Sequence, residues 1–268
     1  VFRHRAEGHW LGEMVGQGAS QGIGRGGGRG FLGEALALSQ ARRAGVQVPE
    51  VLAADQSGML MSCVEGSAER EPVLSLAAES LDFRKSLIET VLRLRQQTRV
   101  VFEGSGREAW LAMVINAYCL GQTPWLDRLQ QPQRARAVMA RARAQSFDAL
   151  CLNHGDFRTG NLMIEKGQLS ALVDWEFAGY RPVEADVGWM LSSPWRYSRP
   201  DLAASGLMSR KELLAGLNQP DSPRLRAWEA LALVRWAVIG RLQDSRQGRP
   251  AGSNADEAAL LDEAEALV

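Results

Sequence analysis

Between Asn161 and Asp174 the chain runs two short apolar segments back to back, and no other feature limits its fold as tightly. Leu162-Met163-Ile164 and Leu169 to Val173 flank Lys166-Gly167, so the spacing predicts a β-hairpin. A hairpin sets its two ends side by side, which brings Asn161 at the start of the first strand next to Asp174 at the end of the second. Just upstream lies His154-Gly155-Asp156-Phe157-Arg158-Thr159-Gly160-Asn161. Magnesium is a hard cation that takes oxygen ligands and keeps several waters, so an Asn carbonyl with an Asp carboxylate suits it. A loop carboxylate such as Asp156 can orient and deprotonate a hydroxyl, and phosphoryl transfer asks a protein for little more than such positioning and charge neutralisation. Each piece alone is common, since an Asp at a strand end is ordinarily a turn residue or a helix cap. Their order and spacing carry the reading.

The rest of the chain divides around this segment. Gly16 to Gly30 alternates glycine and arginine with few apolar residues, a composition that packs as neither strand nor helix. A helical pattern runs from Glu34 to Ala44, with Gly45 as its stop. Val46, Val48, Val51 and Leu52 around Pro49 read as extended, and Met59-Leu60-Met61 reads as a second strand after the Asp55–Gly58 turn. Beyond Gly66, Leu87, Ile88, Val91, Leu92 and Leu94 recur at helical spacing, as do Trp110, Met113, Val114 and Ala117. Residues 133–149 are also helix-prone, Leu150-Cys151-Leu152 is a short apolar run, and the chain after Asp186 is mostly helical with Trp189, Trp228 and Trp236 as core anchors. The expected plan is α+β: a small strand-rich front over 1–66 and a larger helical back over 67–268 that carries the hairpin.

Charge and cysteine usage narrow the classes. Thirty-one basic residues balance thirty-one acidic ones, which gives no electrostatic reason to expect nucleic acid or an anionic membrane as partner. Cys63, Cys119 and Cys151 are odd in number and form no CxxC pair, unlike a disulfide framework or a zinc site. No apolar run approaches the roughly 18 residues of a membrane span, and no apolar leader follows Val1–Arg5. A reducing cytoplasm is the expected location, and the oligomeric state is not readable.

The HGDxxxxN segment followed by an apolar stretch and Asp174-Trp175-Glu176 resembles the aminoglycoside phosphotransferase family, whose fold is shared with choline kinases and protein kinases. Trp175-Glu176 stands where protein kinases have Phe-Gly. The segments His154–Met163, Asp174–Leu191, Trp195–Gly206 and Trp228–Gly240 resemble, in order, bacterial phosphotransferases similar to the kinase domains fused to acyl-CoA dehydrogenases. The resemblance implies a protein-kinase-like two-lobe fold and an ATP-Mg²⁺-dependent enzyme acting on a hydroxyl of a small molecule. It implies Asp156 as catalytic base or hydroxyl-orienting carboxylate, Asn161 and Asp174 as magnesium ligands, and Arg158 as a loop cation meeting a phosphate or pairing with a carboxylate. His154 would brace the loop, Asp186 would cap its backbone, and Glu176 would support the metal shell. Met61–Gly66 matches the interlobe hinge, where backbone groups of Cys63 and Glu65 would meet adenine.

The front departs from that family. Gly16-Gln17-Gly18-Ala19-Ser20 resembles its glycine-rich phosphate loop, with Gly16, Gly18 and Ser20 approaching the nucleotide, and Glu34 fits the helix position of the partner Glu. No lysine precedes Lys85, however, so Arg25 and Arg29 are the only basic residues between Ser20 and Glu34. Three readings stand. Arg25 or Arg29 replaces the phosphate-clamping lysine, the segment lacks residues that relatives have, or the front lobe is degenerate and the chain is a nucleotide-binding pseudokinase. An aminoglycoside-modifying enzyme is a further alternative, and it should display an acidic cleft. Asp256, Glu257, Asp262, Glu263 and Glu265 instead read as a solvated helix face. Trp195, Arg196 and Tyr197 are candidates to line a substrate pocket, with internal packing the alternative for Trp195, and ATP is not distinguishable from GTP.

Overall fold

Helix α1 (Gly30–Arg43) starts four residues ahead of Glu34, the expected first helical residue. It ends where the sequence suggests: Gly45 donates to the Arg42 carbonyl and Val46 to that of Ala41, with Gly45 at φ 79°, a left-handed helix stop. The computed structural model describes residues 30–99, 113–119, 125–145 and 150–268. Gly16, Gly18, Ser20, Arg25 and Arg29 therefore lie outside the described residues, as does Trp110.

Strands β1 (Val51–Ala54) and β2 (Met59–Met61) pair antiparallel. Asp55 makes the turn between them, its carboxylate accepting from the backbone N–H groups of Ser57 and Gly58 and from the Ser57 hydroxyl, the local bonding that favours Asp in turns. The chain then crosses to the hairpin: Ser67 and Ile164 exchange backbone hydrogen bonds of 3.0 and 2.8 Å. Gly66 makes this approach possible, because at its φ of 110° a Cβ would lie 2.3 Å from the Ile164 carbonyl oxygen.

Helices α2 (Arg70–Glu79) and α3 (Leu81–Gln96) meet at Ser80, whose hydroxyl accepts from the Phe83 N–H and caps α3, an interaction worth about 1 kcal/mol. Phe83, Leu87, Val91 and Leu94 form the buried stripe of α3, as their spacing predicts. Strand β3 (Thr98–Arg99) follows, then helical residues at 113–118 and helix α4 (Pro132–Arg143). The apolar run Leu150–Asn153 is strand β4, and the hairpin is β5 (Leu162–Glu165) with β6 (Gln168–Leu172). Strand β7 (Gly179–Pro182) pairs antiparallel with β4, which also pairs with β3, in a three-stranded sheet.

Helices α5 (Glu184–Leu191), α6 (Arg210–Gly216), α7 (Pro223–Arg246) and α8 (Glu257–Leu267) complete the back. Two large apolar clusters form around them, with a small third one of Trp189, Ala232 and Ile239. Of the large ones, one joins α1, α2 and α3 to the hairpin through Leu162, Leu172 and Trp175; the other joins α4, α7 and α8. Every residue of α5 is buried, with Val187, Met190 and Leu191 in the first cluster and Ala185 in the second. At Gly188 a Cβ would sit 2.7 Å from the Glu229 backbone nitrogen, so α5 and α7 touch backbone to backbone. Trp189 and Trp228 are fully buried, whereas Trp236 is half-buried and stacks on Trp189 at 5.8 Å.

The C-terminal acids form a partly solvated face, with Glu257 as the buried exception. Glu257 is buried and accepts from the backbone N–H groups of Gln130 and Gln131. Asp262 and Glu265 pair with Arg134 at 2.5 and 2.7 Å, Glu263 accepts from the Ser193 hydroxyl, and Asp256 caps α8 by accepting from Ala259 N–H. Helix α8 lies against α4 and α7, so these acids meet arginine, hydroxyl and backbone donors, while Asp256 and Asp262 stay exposed. Among the described residues, no helix is long and apolar enough to cross a membrane.

Candidate active site

The loop after β4 is held by two buried side chains, Asp186 from α5 and Arg235 from α7. Asp186 accepts from the backbone N–H of His154 at 2.6 Å and of Gly155 at 2.7 Å. Its own N–H donates to the Asn153 side-chain oxygen at 3.1 Å, while the Asn153 amide nitrogen donates to the carbonyls of Cys151 and Arg181. Asn153 thus ties β4, β7 and α5 at the point where the loop departs. Burial pushes the Asp186 carboxyl above its ordinary value, and the two backbone donors pull against that shift. From α7, Arg235 donates to the Gly155 carbonyl at 2.6 Å, its guanidinium enclosed by the rings of Tyr118, Phe177 and Trp189.

His154 joins the loop to the hairpin. Its Nδ1 accepts from the Asp156 N–H at 3.2 Å, and its Nε2 lies 3.0 Å from the Val173 carbonyl. A carbonyl only accepts, so Nε2 carries the proton and the ring is the neutral tautomer. Burial lowers the His154 pKa in agreement. The sign follows: the unfolded chain takes up a proton near pH 6.5 and the folded chain does not, so this residue's contribution is complete above pH 6.5 and is lost as pH falls below it, by up to about 1.4 kcal/mol per pH unit. Wild type should therefore lose stability relative to His154→Gln between pH 7.5 and 5.5 in urea titrations. A constant difference between the two would exclude the assigned protonation state.

Asp156 is 2% exposed, and both of its oxygens are engaged. Oδ1 accepts from the Trp189 indole N–H at 2.8 Å; Oδ2 accepts from Arg158 Nε at 3.0 Å and from the Asn161 amide nitrogen at 2.8 Å. That amide nitrogen also donates to the Asp156 backbone carbonyl, which leaves the Asn161 side-chain oxygen as its remaining acceptor. The Asn161 backbone carbonyl accepts from Val173 N–H at 3.0 Å, so Asn161 and the residue before Asp174 are bonded across the hairpin ends. Asp174 has φ 69°, a left-handed conformation that Asp tolerates better than most side chains. It exerts its charge on both His154 and Arg158.

The structure thus brings His154, Asp156, Arg158, Asn161 and Asp186 into direct contact, with Asp174 beside them and half-buried Glu176 two residues on. Arg158, read from sequence as a phosphate or carboxylate partner, pairs here with Asp156. Cys63 and Glu65 are exposed on the hinge segment, where the Glu65 carbonyl accepts from the Ser170 hydroxyl of β6. Glu34 stands half-buried on α1. Sequence reasoning singled out Trp189 as a core anchor and missed its bond to Asp156, and it missed Asn153 and Arg235 altogether. A buried indole N–H usually finds a partner, so a Trp inside a helix buried all round is the available signal. The cysteines are free, and burial pushes the Cys119 and Cys151 thiols up to about 12.

The donor set suits a hard cation. Two side chains at the hairpin ends offer oxygen, and among the described residues no cluster of three His, Cys, Asp or Glu is arranged as a closed metal cage. Magnesium commonly binds through one or two protein oxygens together with phosphate and water.

The family model described as the phosphotransferase enzyme family matches residues 29–228. No match is found among curated proteins. Among solved structures, a choline/ethanolamine kinase family protein from Mesorhizobium loti is 20% identical over 87% of this chain and 77% of its own, with a TM-score of 0.52. A thermostable mutant of the aminoglycoside phosphotransferase APH(4)-Ia, in ternary complex with AMP-PNP and hygromycin B, is 17% identical over 88% of this chain and 81% of its own, with a TM-score of 0.57. At such identities the likeness shows the fold, the α+β protein-kinase-like arrangement.

Proposed function

The chain belongs to the phosphotransferase enzyme family, and on that premise we propose that it transfers the γ-phosphoryl group of ATP, bound with magnesium, to a hydroxyl of a small metabolite. The observation that carries this reading is the convergence of Asp156, Asn161 and Asp174 on one loop-and-hairpin unit, braced from behind by His154 and Asp186. In it Asp156 orients the acceptor hydroxyl and receives its proton, with Trp189 and Asn161 fixing the carboxylate plane. Asn161 and Asp174 would hold magnesium, which neutralises charge on the phosphates. The exposed Cys63–Glu65 backbone is the proposed adenine contact, and residues 1–66 and 67–268 are the proposed lobes. A relative crystallised with AMP-PNP supports nucleotide binding.

Thermal stabilisation by ATP, with and without Mg²⁺, tests the metal assignment in wild type and in Asp174→Asn. The variant is chosen because Asn also tolerates the left-handed backbone at this position. A tenfold loss of affinity removes about 1.4 kcal/mol of ligand-linked stability, and that loss is expected only in the presence of magnesium. Magnesium-dependent stabilisation of equal size in both proteins would remove Asp174 from the site.

A further inference from the structure

Beside Asp156 stands a wall of arginine and aromatic side chains that the proposed chemistry does not use. Arg158 gives its Nε to Asp156, and its guanidinium lies 4.9 Å from the Trp195 ring. Among the described residues its two Nη atoms meet no hydrogen-bond partner, and the side chain is 24% exposed. Trp195 and Tyr197 are neighbours at 6.1 Å, and Arg70, at the start of α2, lies 5.1 Å over the Tyr197 ring. The Tyr197 hydroxyl feels the charges of Arg158, Arg70 and Asp156 and reaches Thr159. The chain here is unusual: Tyr197 and the next residue, Ser198, have φ of 47° and 62°. Such backbone is unfavourable for a non-glycine residue and persists where the surroundings over-determine it.

Other arginines nearby are committed. Arg196 bonds the Leu191 carbonyl and faces Glu229 and Glu263, and Arg210 is held by Asp221 and Glu229. Among the described residues Arg70 pairs only with its chain neighbour Glu71 at 3.3 Å, with both side chains more than half exposed, and exposed pairs of this kind are worth little. Two guanidiniums with donor capacity therefore meet the Trp195–Tyr197 wall, Arg158 bonded to Asp156 and Arg70 over the Tyr197 ring. A guanidinium presents a planar fork matched to carboxylate and phosphate oxygens, whereas a cationic acceptor would meet like charge.

We propose that the acceptor is a hydroxylated small molecule bearing an anionic group, a carboxylate or a phosphate, which Arg70 and Arg158 hold against Tyr197 and Trp195 beside Asp156. This rests on the phosphotransferase reading and adds the substrate class to it. Matched probes test it: glycerate against glyceramide, glycerol 3-phosphate against glycerol, and ethanolamine as the cation. Binding is read by thermal shift and calorimetry, with and without ADP-Mg²⁺, on wild type and Arg70→Gln, an exposed position at which folding should be untouched. The acid of at least one pair should bind wild type more tightly than its neutral partner, and the pair that responds tells carboxylate from phosphate. Arg70→Gln should weaken that acid about tenfold and leave the neutral partner unchanged. Acids binding no better than their neutral partners, ethanolamine binding best, or a preference intact in Arg70→Gln would each overturn the proposal. Absence of any ADP-Mg²⁺ stabilisation counts instead against the nucleotide reading, and the acid comparison made without nucleotide stands apart from it.

Discussion

Asp156→Asn should reduce phosphoryl transfer by about 10²–10⁴-fold, the range that a positioned general base contributes, while ATP-Mg²⁺ still stabilises the protein. The substitution is nearly isosteric, and the geometry says where its effects go. An amide oxygen at the Oδ1 position still accepts from the Trp189 indole, so the loop keeps its link to α5. At the Oδ2 position an amide nitrogen would face two donors, Arg158 Nε and the Asn161 amide nitrogen. It can receive neither, so Arg158 loses its carboxylate partner and Asn161 keeps only its bond to the Asp156 carbonyl. The lost function is the proton acceptor, which sits on the hydroxyl side and not among the proposed magnesium ligands. Phosphate release in single-turnover assays, paired with calorimetric titration of ATP-Mg²⁺, separates the two. Turnover within threefold of wild type would take the base assignment away from Asp156.

How far the sequence reached depended on whether a feature is local. The hairpin from Leu162 to Leu172 and the helix ending at Gly45 follow from patterns a few residues long, so both stand where the spacing puts them. Strand β7 was not legible because Gly179-Tyr180-Arg181-Pro182 has neither apolar alternation nor β-branched residues, and it exists through pairing with β4 some thirty residues earlier. The burial of Glu257 and the pairing of Asp262 and Glu265 were not legible for a related reason. Periodicity identifies a helix and its apolar face, but Arg134 and the N–H groups of Gln130 and Gln131 come from a distant segment. The same holds within the site. Asp156, Asn161 and Asp174 are marked by their order, whereas Asn153, Arg235 and the Trp189 bond act across the fold and carry no spacing signal.

That division predicts where stability is concentrated. Asp186→Ala should cost about 3–5 kcal/mol, the range for removing one partner from a buried charged interaction. Two buried N–H groups, those of His154 and Gly155, would lose their acceptor, and each unsatisfied buried donor costs about 1–3 kcal/mol. Relief of the carboxylate's own burial, which pushes its pKa up, works the other way and keeps the total below the sum of the parts. Asp186→Asn distinguishes these contributions. It retains one acceptor oxygen for one of the two N–H groups and turns an amide nitrogen toward the other, so its cost should fall between wild type and Ala. Activity should follow the same order, because the loop that carries Asp156 begins at the two residues Asp186 holds. Urea unfolding of the three proteins gives the stabilities directly. If Asp186→Ala stays within 1 kcal/mol of wild type, the Arg235 bond to the Gly155 carbonyl and the His154 bond to Val173 are enough to hold the loop, and the brace lies in α7 and the hairpin rather than in α5.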